Sequence, residues 1–211
     1  IGQVQMLPAD IIENGVDGDG DGHVTLKTSA VDALMSGGKM LQSLGWRAGE
    51  PWMQEVVVPD DLDWSLTGLH EKRPVGDWAA MGIEGRSAPL GPSGLDASIL
   101  LPMGRNGPAF IVYPNFDVYF EWNQSLVYVT TAAYFATRIM GAPVYDAGNP
   151  DPGLTGEEVE ALQRRLAARG HDVGGIDGIL GAMTRAAVRA EQARLGMPVD
   201  GWPTRGLLNR L

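Results

Sequence analysis

Apolar residues recur at helical spacing in two long stretches of the chain, residues 29–44 and 125–140. Positions three or four residues apart lie on one face of a helix, so both stretches are predicted helices. Shorter runs rich in β-branched and aromatic residues are typical of strands. The predicted strands are residues 55–58, 97–101, 109–113 and 118–122. Helices and strands in this order predict an α+β fold.

Turn-forming residues divide the chain into two parts. Residues 146–153, with the sequence DAGNPDPG, combine turn formers with no apolar periodicity, which predicts a linker. We therefore expect a first domain over residues 1–145 and a second over residues 154–211. Scattered Pro and Gly predict that residues 60–94 are mostly loop, apart from a short helix near residues 75–81.

The second domain has clearer helix signals. Thr155 and Glu158 fit a capping box at the start of a first helix. A glycine-rich turn at residues 174–178 leads into a second helix over residues 183–195, and a third begins at about Thr204. These signals predict a compact three-helix unit.

Composition removes several functional classes. The chain has 211 residues, a formal net charge of −10 and no dense run of Lys or Arg, so nucleic acid is a poor candidate partner. No apolar stretch approaches the roughly 20 residues needed to cross a bilayer. The absence of cysteine excludes disulfides, a thiolate nucleophile and Cys-ligated metal centres.

An acidic loop near the start of the chain has the pattern of the first half of an EF-hand. Three aspartates alternate with glycine, and Gly22 occupies the sixth position, where a sharp turn is needed. Thr28 replaces the usual twelfth-position glutamate, and the nearest substitute is a later aspartate. The candidate Ca²⁺ ligands are Asp17, Asp19, Asp21, the His23 carbonyl and Asp32. The alternative is an Asp- and Gly-rich surface turn without metal.

Motifs in the second domain match a known family. They are Leu162-Gln163, Ile176-Asp177-Gly178, Leu180-Gly181, Thr184-Arg185 and Pro198-Val199-Asp200-Gly201. Their order and spacing resemble the type 1 peptidoglycan-binding domain. Glu191 stands where that family commonly has an aromatic residue, so its carboxylate must be exposed or paired. A three-helix bundle without a ligand is the alternative.

Short segments of the first domain carry a second resemblance. The matching segments are residues 2–8, 44–47, 49–52, 113–116 and 122–125, together with Tyr128. They are similar to the C-terminal part of the catalytic domain of lytic murein transglycosylases of the membrane-bound B type. The resemblance implies a lysozyme-like fold with an EF-hand-like loop that closes on Asp32. It also implies that Gln5, Trp122, Asn123 and Tyr128 line a sugar-binding groove; we assign Trp46 and Trp52 to packing.

The family cleaves the bond between N-acetylmuramic acid and N-acetylglucosamine without water and leaves a 1,6-anhydro end. One glutamic acid acts as acid and then as base. In the family it precedes the segment matched by residues 2–8, so we expect it upstream of Ile1 and expect no cleavage by this chain alone. The calcium would be structural. The resemblance further implies a monomer acting on peptidoglycan glycan strands in the periplasm or cell envelope, with membrane contact only through an anchor upstream of Ile1.

Two other functions are compatible with the sequence. Lys39-Met40, Ala9-Asp10-Ile11 and Trp122 differ from the family's usual groove residues, which favours a non-catalytic wall-binding or scaffolding protein. Peptidoglycan-binding domains also accompany wall peptidases and amidases. The histidines lie far apart in sequence without a His-Glu-x-x-His motif, which disfavours that third function.

Overall fold

The computed structural model describes residues 2–211 as a mixed unit followed by a helical unit. The first unit contains α1 (Pro8–Asn14), α2 (Ala30–Ser43), β1 (Met53–Val57), β2 (Arg73–Pro74), α3 (Val75–Ala80), β3 (Glu84–Gly85), β4 (Asp96–Leu100), β5 (Ala109–Val112), α4 (Pro114–Trp122) and α5 (Leu126–Ile139). The second contains α6 (Gly156–Ala168), α7 (Ala182–Arg194) and α8 (Arg205–Leu208). The predicted α+β class with a helical second unit is confirmed. No helix within residues 2–211 combines the length and apolarity needed to cross a bilayer.

An antiparallel sheet with strand order β2-β4-β5-β1-β3 forms the centre of the first unit. Its central strands are buried on both faces, which explains their continuous apolar sequences. On one face Ile99 and Ile111 pack with Trp78 of α3, whose indole N–H donates to the carbonyl of Ala97 at 2.9 Å. The other face packs against α4 and α5, where Phe116 is completely buried.

The predicted strand over residues 118–122 is wrong, because these residues form the second half of α4. Pro114 occupies the first turn, where its fixed φ favours a helix. Phe116 and Phe120, four residues apart, place their rings 5.6 Å from each other. The short helix predicted near residues 75–81 is confirmed as α3, but the expectation that the rest of residues 60–94 is loop misses β2 and β3. β2 and β3 are two residues long, so they are too short to show the alternating pattern from which a strand is predicted.

A buried glutamine holds the glycine-rich turn of the second unit. Gln163 is 1% exposed, and its side-chain oxygen accepts hydrogen bonds from the amides of Asp177 and Gly178, both at 3.0 Å. Its amide nitrogen donates to Asp177 Oδ1 at 3.0 Å, to the Ile179 carbonyl at 3.1 Å and to Thr184 Oγ1 at 3.3 Å. The turn therefore takes its shape from α6.

The same device occurs a second time, on α7. Gln192 donates to Asp200 Oδ1 at 2.7 Å and to the carbonyl of Trp202 at 3.1 Å. Its oxygen accepts from the amide of Gly201 at 2.9 Å. Both Asp-Gly motifs of the second unit are thus anchored by a buried helix glutamine, which gives these family motifs a structural reason.

Glu191 is buried and paired, which satisfies the condition set by its sequence position. It is 3% exposed and lies between His171 Nε2, 2.8 Å away, and the guanidinium of Arg194, 2.7 Å away. Hydrogen bonding from Arg194 is the main cause that lowers the pKa of Glu191; burial opposes this shift, and the His171 contact adds to it. The carboxylate is therefore ionised at neutral pH.

Two arginines of α7 dock the second unit on the first. Arg185 donates to the carbonyl of Pro102 at 2.6 Å and contacts the Leu101 carbonyl at 3.4 Å. Arg189 donates to the Ser65 carbonyl at 3.0 Å and to Thr67 Oγ1 at 3.2 Å. Both guanidinium groups cap backbone carbonyls of the first unit, so the two units share a hydrogen-bonded interface.

Trp202 and Asp200 complete this interface. The Trp202 indole donates to the carbonyl of Asp151 at 2.9 Å, and the Arg185 guanidinium lies 5.4 Å from its ring centroid. Asp200 Oδ2 accepts from the amide of Arg105 at 3.2 Å. Burial lowers the pKa of Arg185 to about 10, and the charge of Asp200 opposes that shift. The predicted linker thus contacts the second unit directly, while the proposed domain boundaries stay predictions.

Candidate functional site

Three of the aspartates predicted to bind calcium converge in the acidic loop. Asp17, Asp19 and Asp32 each offer a carboxylate oxygen, and these oxygens lie within 4.8 Å of one another. Ca²⁺ binds oxygen at about 2.3–2.6 Å, so ligands on one ion can lie up to about 5 Å apart. The group consists of hard oxygen donors only, which suits Ca²⁺.

Asp32 connects this loop to the first turn of α2. Ser29 caps the helix by accepting from the Asp32 amide at 3.2 Å. The Asp32 carboxylate is inaccessible to solvent and accepts from the amides of Thr25 and Gly18, each at 2.8 Å. The Thr25 amide is the main cause that lowers the pKa of Asp32; burial opposes the shift, and the Gly18 amide adds to it. Its negative charge is therefore available to a cation.

The loop curls around the first aspartate. Asp17 accepts from the amides of Gly20 at 2.6 Å and Gly22 at 2.8 Å. Both glycines have left-handed φ values, +78° and +88°, which side chains disfavour. Asp21 lies outside the converging group and accepts from the amide of the exposed His23 at 2.9 Å. Asp21 and the His23 carbonyl therefore stay predicted ligands.

A second candidate site lies where the N-terminal segment meets α2 and the end of α4. A Cβ added at Gly37 of α2 would lie 3.5 Å from the Trp122 ring and 3.7 Å from the side chain of Val4. Gly37 is buried, and Trp122 is half-buried at the last position of α4. The absence of a side chain at Gly37 lets Trp122 and the segment containing Gln5 share one corner, which we call the sugar corner (residues 4–5, 37 and 122–123).

Gln5 is exposed in this corner and has an unusual backbone. Its φ of +54° makes it the one non-glycine left-handed residue among residues 2–211. Such a conformation costs about 1–3 kcal/mol and persists where the surroundings enforce it, often at binding sites. Here the backbone N–H of Gln5 donates to the carbonyl of Gly2 at 3.3 Å, and the following residue, Met6, is buried. The turn directs an amide side chain to solvent at a cost in stability.

Asn123 and Tyr128 follow directly on the chain. Asn123 Oδ1 accepts from the amide of Ser125 at 2.9 Å, so one function of its side chain is to shape the turn between α4 and α5. Ser125 in turn caps α5 by accepting from the amide of Tyr128. Tyr128 lies in the first turn of α5 with 55% of its surface exposed. Trp122 thus lies close to Gly37 and Val4, the residue before Gln5, while Asn123 follows Trp122 in the chain and Tyr128 lies in the first turn of α5; the four residues stay predicted groove residues.

Asn115 lies in the matched segment 113–116, and its role in the structure was not predicted from the sequence. It is completely buried and accepts from the Arg47 amide at 2.8 Å. Its Nδ2 donates to the carbonyls of Arg47 and Glu50, both at 2.9 Å. These bonds tie the segment before β1 to α4. The one sequence feature that could have indicated this role is a polar residue placed between Pro114 and the apolar Phe116.

The two tryptophans assigned to packing lie in the same segment. The Trp46 ring is 5.6 Å from that of Tyr119 and 5.9 Å from that of Trp52. The Trp52 indole donates to the carbonyl of Ala133 on α5 at 3.0 Å. Both side chains contribute to the contact between this segment, α4 and α5.

The carboxyl groups whose pKa is clearly shifted lack the electrostatic signature of a general acid. A carboxyl that donates a proton near neutral pH needs a raised pKa, usually from an apolar pocket. Within residues 2–211, every carboxyl with a clear shift has a lowered pKa, because hydrogen bonds to the ionised form outweigh burial. These residues are Asp32, Asp63, Glu158, Asp177 and Glu191.

Family models match both units of the chain. Residues 1–137 match the transglycosylase SLT domain, and residues 155–211 match a peptidoglycan binding domain. The chain belongs to the transglycosylase SLT-domain family. The sequence-based resemblance is thereby confirmed for both units. Comparison with curated proteins gave no match.

Solved structures extend this result. The chain is 43% identical to SltB3 of Pseudomonas aeruginosa, over 99% of this chain and 57% of that one, with a TM-score of 0.84 for its complex with NAG-anhNAM-pentapeptide. The NAG-NAM-pentapeptide complex of SltB3 gives a TM-score of 0.83. The chain thus spans less than two thirds of SltB3, and the predicted lysozyme-like transglycosylase fold is confirmed.

A more distant relative is the lytic transglycosylase Slt35 of Escherichia coli, solved in complex with calcium. It is 27% identical to this chain, over 66% of this chain and 45% of Slt35, with a TM-score of 0.50. The similarity covers about two thirds of this chain and less than half of Slt35.

Proposed function

We propose that this chain is the C-terminal part of the catalytic domain, and the wall-binding domain, of a lytic transglycosylase. The enzyme would cleave the bond between N-acetylmuramic acid and N-acetylglucosamine without water, leaving 1,6-anhydro ends, in the periplasm or cell envelope. The observation that carries this proposal is the 43% identity to SltB3 over 99% of the chain. Because SltB3 was solved with glycan fragments that carry a pentapeptide, we infer that this chain binds peptidoglycan. A monomer is proposed on the family resemblance alone.

The sugar corner, with Tyr128, would orient the glycan. Trp122 offers an apolar face to a sugar ring, and the amides of Gln5 and Asn123 can hydrogen-bond acetamido and hydroxyl groups. The exposed phenol of Tyr128 is a further hydrogen-bonding group. Since Trp122 is packed on α2 at Gly37, its ring is held in place before the sugar binds.

The proton donor of the reaction is proposed to lie outside residues 1–211. The support for this is the resemblance, because in the family the single glutamic acid precedes the segment that residues 2–8 match. General acid–base catalysis contributes about 10²- to 10⁴-fold, so its absence should abolish detectable cleavage. Incubation of the chain with purified sacculi should release no anhydro-muropeptides by mass spectrometry, whereas SltB3 as positive control should release them. Product from this chain would overturn this part of the proposal.

A structural Ca²⁺ is the proposed metal. Asp17, Asp19 and Asp32 would hold it, with Asp21 and the carbonyl of His23 as further ligands. When bound, it would neutralise the acidic loop and tie it to the start of α2. The converging oxygens and the calcium complex of Slt35 support this role. Because α2 also carries Gly37, the loop would stabilise the helix on which Trp122 packs.

The proposed glycan binding is tested by calorimetric titration of the chain with an uncleaved tetrasaccharide of alternating N-acetylglucosamine and N-acetylmuramic acid. Trp122→Ala should weaken binding about tenfold, equivalent to about 1.4 kcal/mol, because it removes the ring face. Phe135→Ala on α5, where Phe135 is 63% exposed, is the matched control and should bind normally. Equal affinities for all three proteins would contradict the proposed corner.

A further inference from the structure

Helix α5 is apolar on the side that faces away from the core as well as on the side that faces it. Only one of its 14 residues, Arg138, carries a charge. Leu126, Val129 and Ala133 are buried and pack in the core of the first unit. A surface helix normally carries polar residues opposite such a buried stripe, whereas a helix that is apolar all round is typical of a protein interior. The composition of α5 is therefore that of a helix covered on both sides.

The exposed apolar side chains of α5 form one row. Val127, Phe135 and Ile139 are 59%, 63% and 69% exposed. They lie at multiples of four residues, which places them one after another along a single face of the helix. Thr131 completes the row, and its hydroxyl donates to the Val127 carbonyl at 2.7 Å, so the helix itself satisfies that hydroxyl. We call these four residues the outer face of α5.

The single charged residue of α5 is directed to the end of its own helix. Arg138 donates to the carbonyl of Ala142, which follows the helix. The next residue after the helix, Met140, is 75% exposed and adds to the apolar surface. Isolated apolar residues are ordinary on protein surfaces, but a continuous apolar row marks an interaction site. The outer face therefore calls for a partner.

The size of the outer face limits what that partner can be. A helix of 14 residues is about 21 Å long and about 10 Å wide, so one face offers on the order of 200 Å². A stable complex between two separate proteins needs about 800 Å² on each of them, so a second copy bound at this face alone would fall short. Anionic lipid is disfavoured by the net charge of −10. A segment of the same domain can cover so small a face, because it does not lose the freedom of a separate molecule.

The comparison with SltB3 indicates which segment this is. The match covers 99% of this chain but 57% of SltB3, so more than two fifths of SltB3 has no counterpart in residues 1–211. The transglycosylase match ends at residue 137, within α5, so α5 belongs to the transglycosylase unit. Along the chain α5 begins three residues after Asn123 of the sugar corner. A segment seated on the outer face would therefore lie beside the predicted sugar groove.

We propose that the outer face of α5 is the docking surface for the part of a transglycosylase catalytic domain that SltB3 has in addition to its matched region. This proposal rests on the proposed function, in which the proton-donating glutamic acid lies outside residues 1–211. The docked segment would pack apolar side chains on Val127, Phe135 and Ile139. It would thereby hold the glutamic acid on the side of the first unit where the sugar corner lies.

The test compares one substitution in two proteins. One is residues 1–211, and the other is a fusion in which the part of SltB3 that precedes its matched region is joined to residue 1. Phe135→Gln should shift the midpoint of thermal unfolding of residues 1–211 by less than about 2 °C, because Phe135 already faces solvent. In the fusion it should lower the midpoint by about 5 °C or more, because the ring would be buried there.

Ile176→Gln is the matched control. Ile176 is an exposed apolar residue in the glycine-rich turn of the second unit, so its substitution should shift neither protein by more than about 2 °C. Equal shifts for Phe135→Gln in the two proteins would overturn the proposal. Dimerisation of residues 1–211 in sedimentation, or binding to phosphatidylglycerol vesicles, would also overturn it if Phe135→Gln abolished either one, because the outer face would then have another occupant.

A second measurement applies if the fusion does not fold. The SltB3 segment is then expressed together with residues 1–211 as a separate chain. Recovery with wild type and Ile176→Gln but not with Phe135→Gln supports the proposal, whereas recovery with all three or with none overturns it. Release of anhydro-muropeptides from sacculi by the fusion tests the proposed function separately. Release with equal thermal shifts would reject the docking surface alone, and unequal shifts without release or tetrasaccharide binding would reject the proposed function alone.

Discussion

Replacement of Gln163 by leucine should destabilise the second unit more than its size suggests. Leucine preserves the apolar bulk of the side chain but cannot make the five hydrogen bonds that join α6 to the glycine-rich turn and to α7. A hydrogen bond contributes about 1 kcal/mol net, and partners near the surface recover water, so we expect a loss of about 2–4 kcal/mol. The pKa of Asp177 should rise as well, because Gln163 is the main cause that lowers it.

This loss is large for a small unit. The peptidoglycan-binding unit spans residues 155–211, and domains of that length are stable by about 3–9 kcal/mol at 0.05–0.15 kcal/mol per residue. Urea unfolding followed by circular dichroism measures the change, with the exposed Gln42→Leu on α2 as control. The control should change stability by less than about 0.5 kcal/mol. A loss below about 1 kcal/mol for Gln163→Leu would refute the role of the hydrogen bonds.

Three further predictions concern calcium, backbone strain and the buried glutamate. Calcium at 100 times its dissociation constant should stabilise the chain against unfolding by about 2.7 kcal/mol. In Asp32→Asn, stability with calcium and with chelator should be the same. Identical melting of the wild type with calcium and with chelator would reject the site. Gln5→Gly should raise stability by about 1 kcal/mol by relieving the left-handed φ, while tetrasaccharide affinity falls; unchanged stability would contradict the strain. Glu191→Gln should cost about 2 kcal/mol at pH 7 because two charged hydrogen bonds are weakened. The pKa of Glu191 is lowered in the folded protein. Its contribution to the free energy of unfolding is therefore complete above the unfolded pKa of about 4.3 and is lost as the pH falls through the folded pKa. If urea unfolding gave the same stability difference between Glu191→Gln and wild type at pH 7 and at pH 3, this reasoning would be contradicted.

Long periodic patterns predicted the helices well. The stretches that became α2, α5, α6 and α7 each repeat apolar residues over three or more turns, and three of these helices begin at Ser or Thr caps. The short α4 was mistaken for a strand, because alternate apolar residues at its end fit a period of two. Contacts of Phe116 with Phe120 and with the core decided for the helix.

Contacts between distant parts of the chain could not be predicted from local sequence. Arg185 and Arg189 have the composition of an exposed helix face, yet their partners lie 83 and 124 residues earlier in the chain. The acidic loop shows the same limit. Spacing identified Asp17, Asp19 and Asp21, with Asp32 as the nearest substitute for the missing glutamate, but only the folded loop shows that Asp17, Asp19 and Asp32 form the converging group.

The most direct test of glycan binding by this chain is an NMR titration of the ¹⁵N-labelled protein with the uncleaved tetrasaccharide. The indole N–H signal of Trp122 and the side-chain amide signals of Gln5 and Asn123 should shift in proportion to saturation. The indole signal of Trp78, which is completely buried in the core, should not move. Saturable binding that leaves Trp122, Gln5 and Asn123 unchanged, or that shifts only signals of residues 155–211, would contradict the account.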